Sequence, residues 1–145
     1  MYVSELSISK KQLDALEKAQ SYVATGIKNA LHEIGLDAAR SLSDSINNQS
    51  RNGRTYFING TPHEASAPGE FPANRTSKLK KSMNYITRGN SEVEWGSESP
   101  YAGFLEDGTS KMAPRALVQE TYRLKKAHHA VILESEVDNA IKRHS

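Results

Sequence analysis

"SKKQLDALEKAQSYVATGIKNALHEIGLDAARSLSDSINN", residues 9–48, decides the fold. Ser9 and Gln12 sit at the N-cap and N3 positions of a capping box, where each side chain bonds the other's backbone N–H. Leu13, Leu16, Val23, Ile27, Leu31, Ile34, Ala38, Leu42 and Ile46 then recur at steps of three, four and seven. That spacing draws one apolar stripe along an α-helix. Unbroken, the helix would run roughly 60 Å at 1.5 Å per residue. Gly26 and Gly35 each cost about 1 kcal/mol inside a helix, and either can mark a kink.

Asn47 to Gly53 is a polar stop. Arg54 to Ile58 is rich in β formers and runs into Asn59-Gly60, a strong hairpin signal, with Pro62 to Ala67 as a weak return arm. Ser66-Ala67-Pro68-Gly69-Glu70-Phe71-Pro72-Ala73 follows, an extended loop stiffened by two prolines. Ser77 to Ser82 can form a helical turn. Asn84–Arg88 and Glu92–Gly96 read as antiparallel strands joined at Gly89-Asn90, and Tyr101 to Leu105 has a helical look. From Pro114 onward, Leu117, Thr121, Leu124, Ala127, Val131, Leu133, Val137, Ala140 and Ile141 describe a terminal helix, with room for a break near 124–127. The expected class is α+β. One domain spans 1–145: a helical region (1–50), a hairpin, loop and strands (51–100), and a closing block with a C-terminal helix (101–145).

The 145 residues suit a single domain, but 37% hydrophobic and 7% aromatic content is polar for a self-contained globule. Part of the fold is therefore expected to be elongated or completed by neighbouring subunits. There are no cysteines, which excludes disulfides and thiolate metal sites and fits a reducing cytoplasm. No apolar run approaches the roughly 18 residues of a membrane span, and MYVSELSISKKQ lacks the order of a signal peptide. The chain reads as soluble and unexported, with no membrane partner. Its net charge of +2 is unevenly spread. Residues 51–89 carry seven basic side chains (Arg51, Arg54, Arg75, Lys78, Lys80, Lys81, Arg88) against two acidic ones, between acidic flanks. Such an island suits an anion or an acidic partner.

Catalytic constellations find little support. His128 and His129 are adjacent, so on a helix they point about 100° apart and cannot share one ion. Together with His32 and His63 they read as solvated helix-face or isolated histidines, and no metal or cofactor is expected. Glu106 and Asp107 can be imagined as an acid–base pair, with Glu92, Glu94 and Glu98 nearby in sequence. They fit more simply as a turn before Gly108, with Glu106 paired to Lys111 or Arg115. There is no nucleophile elbow and no phosphate loop. The basic island remains. Arg75, Lys78, Lys80 and Lys81, with Arg88 and Tyr85 near them, can contact nucleic-acid phosphates without base specificity. A chaperone-like partner binder is a further alternative.

Two blocks together resemble one family. "SAPGEFPANRTSKLKKSM", followed about 18 residues later by "YAGFLEDGTSKMAPRALV", is similar to the tail-completion or neck proteins of long-tailed bacteriophages and prophages. The matching positions are Ala67, Pro68, Gly69, Glu70 and Pro72, with Phe71 between them, then Thr76, Leu79 and Ser82. In the second block they are Tyr101, Ala102, Leu105, Glu106, Gly108, Thr109, Ser110, Met112 and Arg115. The likeness covers about residues 50 to 125. Arg75-Thr76-Ser77 stands where the family usually has Asp-Thr-Gly, and Arg115-Ala116-Leu117-Val118 where it has Arg-Pro-Phe-Leu.

The resemblance implies a structural, non-enzymatic virion subunit assembled in the host cytoplasm. It implies a homo-oligomeric ring, hexameric by analogy, around the DNA channel. Its neighbours would be a head-closure or connector protein and a tail terminator or tail tube protein. The 60–77 loop is expected to reach a neighbouring subunit, and Tyr101 and Leu105 are expected to pack inward.

Overall fold

In the computed structural model, which describes residues 8–48, 51–73 and 77–144, the first helix is continuous. α1 spans Lys10–Asn48. The predicted capping box forms, with the Ser9 N–H on Gln12 Oε1 at 2.9 Å and the Gln12 N–H on Ser9 Oγ at 3.3 Å. The helical span runs through both glycines. Both are points of close approach: a Cβ on Gly26 would lie 2.8 Å from the Val137 Cα, and one on Gly35 would run into the Tyr85 ring.

After α1 come β1 (Thr55–Ile58) and β2 (Thr61–Glu64), α2 (Lys78–Lys81), β3 (Met83–Arg88) and β4 (Glu92–Ser97), α3 (Ala102–Asp107) and α4 (Val118–Lys142). The strands form two separate antiparallel hairpins, β1–β2 and β3–β4. Asn59 and Gly60 both take positive φ (50° and 81°), the backbone that a two-residue hairpin turn requires. Alternation along β3 and β4 turns Met83, Tyr85, Val93, Trp95 and Ser97 toward the body of the domain, with Tyr85 opposite Trp95.

α4 lies antiparallel to α1, with Gly26 beside Val137 and Asp37 beside Lys125 and His129. It is unbroken, and it does not bury the expected stripe. Thr121, His129 and Ala140 are buried, whereas Leu124 and Val131 are exposed. The core sits at the far end of α1, where Leu42, Ile46, Leu79 and Leu117 are buried together beneath Phe71, Met83, Trp95, Ala102, Leu105 and Val118. Burying a side chain such as Leu42 or Ile46 contributes about 1.5–3 kcal/mol. The α+β class is as expected, and no helix among the described residues is long and apolar enough to cross a membrane.

Candidate functional site

The two motif blocks, far apart in sequence, meet in space. The Arg115 guanidinium donates to the buried Ser66 carbonyl through Nη2 (2.9 Å) and Nε (3.3 Å). The Gly69 N–H donates to the Pro114 carbonyl at 3.4 Å. Within the first block, the Glu70 carboxylate accepts the Ala67 N–H (2.7 Å), the Asn52 N–H (3.2 Å) and the Asn52 side-chain amide (2.6 Å). The Ala67 N–H, followed by the two donors of Asn52, holds the Glu70 carboxyl below its ordinary range, because each bond favours the charged form. Pro72 is buried and Phe71 packs on the core, while Pro68 and Gly69 stay exposed at the bend. The loop is thus latched to its own domain at both ends.

In the second block, Glu106 does not pair with Lys111 or Arg115. Its carboxylate accepts the backbone N–H groups of Leu117 (2.8 Å), Val118 (2.9 Å) and Gln119 (2.8 Å). These are first-turn donors of α4 that no intrahelical carbonyl can satisfy, and the helix dipole favours a negative charge there. Arg115 is meanwhile engaged by Ser66. Gly108 takes φ 75°, and a Cβ there would sit 2.8 Å from both the Met112 carbonyl and the Pro114 nitrogen. Thr109 and Met112 close a tight turn by exchanging backbone bonds of 2.8 and 3.2 Å, leaving Ser110 exposed at its tip.

Leu105 packs inward as expected, but Tyr101 is exposed. The short α3 buries only one side, taken by Ala102 and Leu105, and leaves Tyr101 on the rim of a groove. That groove, of about 530 Å³, runs between the blocks and is lined by Tyr56, Pro72, Lys78, Tyr101, Met112 and Arg115 among others.

The members of the basic island differ in their engagement. Arg88 pairs with Glu94 at 2.8 Å across its own hairpin. Lys78, Lys80 and Lys81 lie on α2 and form no ion pair among the described residues, while Arg75 lies outside those residues.

The histidines also differ from expectation. His128 is exposed, but His129 is only 8% exposed and meets Asp37 at 3.0 Å, with the Lys125 ammonium 3.4 Å from the other Asp37 oxygen. Trp95 sits edge-on to it at 6.4 Å. Thr121, Lys125 and His129, four apart, mark the inward face of α4. That spacing was available in the sequence, but an apolar search passes over it. Asn52, the anchor for Glu70, had no signal at all, because its partner lies 18 residues away.

Among the described residues, no group of three or more His, Asp or Glu side chains is placed to hold a metal ion. The described residues form a long helix pair beside a junction built from side-chain-to-backbone bonds. The family model described as "Bacteriophage HK97-gp10, putative tail-component" matches residues 2–108, well over half of the chain. The chain belongs to this HK97-gp10-like family, a family of bacteriophage tail components, which places it among phage structural proteins of the virion. The match takes in the first motif block and the start of the second, and ends before α4. No curated protein and no solved structure matches the chain.

Proposed function

We propose that the protein is a subunit of the phage neck, a tail-completion or head–tail joining component. Identical copies form a ring around the DNA channel, hexameric by analogy with the family. The head connector or head-closure protein lies on one side and the tail terminator or tail tube on the other. The observation that carries this is the latched loop. Ala67 to Pro72 is held by Glu70 and Arg115 with Pro68 and Gly69 outward, so the loop meets a neighbour with its ordering entropy already spent. The groove beside it, rimmed by Tyr101 and Met112, offers an apolar seat next to that bend. Family membership supports a role without catalysis. The lysines of α2 are available to an anionic partner, packaged DNA included.

A cryo-electron microscopy map of the neck tests the assignment. The expected result is a ring of this chain in which residues 67–72 contact an adjoining subunit and the map shows which surface α2 faces. A protein absent from purified particles and monomeric in solution would overturn it.

A further inference from the structure

The first stretch of α1 is exposed along its length, and no hydrogen bond, ion pair or ring contact joins it to another element among the described residues. The Tyr22 ring stacks on His144 at 4.0 Å, near the end of α4. Residues 10–21, about 18 Å of helix at 1.5 Å per residue, extend past that point, exposed on every side. Leu13 and Leu16 are 49% and 53% exposed there. Leu16 continues the line of Val23, Ile27 and Ile34 that packs further along the same helix.

A second uncovered apolar strip lies on α4. Leu124 (57% exposed), Ala127 and Val131 (61%) follow one another at steps of three and four, away from the buried Thr121, His129 and Ala140. This strip lies outside the residues the family model matches.

Charge decides how the two strips would meet. The overhang begins with Lys10 and Lys11, and the α4 strip ends at Glu134 and Asp138. None of the four takes part in an ion pair among the described residues. An antiparallel crossing sets Lys10, which flanks Leu13 on its own face, against Glu134 and Asp138, Leu13 against Val131, and Leu16 against Ala127, while Lys11 points away. A parallel crossing would bring Lys10 toward Arg123, whose neighbour Glu120 already holds it.

We propose that the α1 overhang docks antiparallel across the outer face of α4 in a second copy of this chain. The inference rests on the ring-forming role proposed above and names the surfaces that make the ring. Because it joins two different patches, the contact is head-to-tail. Repeated, such a contact closes a ring or grows a filament.

The lack of any cysteine permits a clean test. Leu13→Cys and Val131→Cys proteins are prepared separately, mixed and oxidised mildly. The expected product is a mixed disulfide dimer, formed well above the yield of either protein alone. Lys10→Glu added to the first protein should cut that yield roughly two- to fivefold at low salt. Glu134→Lys and Asp138→Lys in the second should restore it. Leu13–Leu13 dimers as the main product, no cross-link, or a yield blind to the charge exchange would overturn the contact. Sedimentation of the wild-type protein separates the two levels. Oligomers without the mixed disulfide defeat only these surfaces, whereas a monomer missing from particles defeats the ring itself.

Discussion

Where α1 passes α4 at Gly26 the contact is one of shape: Gly26 lets the backbone of Val137 approach, and no side chain could stand between them, while further along the pair Asp37 meets Lys125 and His129. At the junction of the motif blocks the contact is polar. Glu70, Glu106 and Arg115 each tie a side chain to backbone groups of another segment, at Asn52, at Leu117 to Gln119 and at Ser66. The packed face of α1 follows from a periodic apolar pattern that many sequences could satisfy, whereas the inward face of α4 carries Thr121, Lys125 and His129. The junction depends on single side chains, each closing a gap that backbone alone leaves open. The family match runs over residues 2–108, through α1 of the first region as well as the first motif block of the second.

The largest expected effect breaks the first region. Gly26→Ala places a Cβ 2.8 and 2.9 Å from backbone atoms of Val137 and Glu136. Backbone cannot swing aside, so the helices must separate, at a net loss of about 3 kcal/mol despite alanine's better helix propensity. Chemical denaturation measures it, and an unchanged midpoint would mean that the helices do not cross so closely.

Glu106→Ala attacks the second region. It leaves three N–H groups at the start of α4 without their acceptor, at about 2 kcal/mol. Glu106→Gln should recover about half of that, because the amide oxygen still accepts. Thermal melts give the totals, and amide exchange at Leu117, Val118 and Gln119 locates the loss. Equal exchange in all three proteins would remove Glu106 from the cap.

The smallest effect has the opposite sign. Ser77 takes φ 57° where the resembling family has glycine, a left-handed backbone that costs a side-chain-bearing residue. Ser77→Gly should therefore stabilise the protein by about 0.5–1 kcal/mol, read from the same denaturation curves. A loss of stability would show that the serine side chain supports this turn more than its backbone strains it.

Several elements were legible from residue spacing. Ser9 and Gln12 set the start of α1, the stripe from Val23 to Ile46 set its packed face, and Asn59-Gly60 and Gly89-Asn90 set both hairpins. Others misled. Leu124 and Val131 looked like core because they are apolar at helical spacing, yet the inward face of α4 carries Thr121, Lys125 and His129. Glu106 looked like an ion-pair partner because Lys111 and Arg115 are near it in sequence. Its acceptors face a helix start that no local pattern points to.

The sequence by itself determined the secondary elements, the α+β class and the two blocks that carry the family likeness. Those are local properties, written in periodicity, capping and turn residues. Only the tertiary structure decided that the blocks touch, that Gly26 and Gly35 are points of close approach, and which side of each long helix is left bare. These depend on partners far apart along the chain: Ser66 to Arg115 is 49 residues, and Asp37 to His129 is 92. At such separations no spacing rule operates, and packing alone chooses the partner.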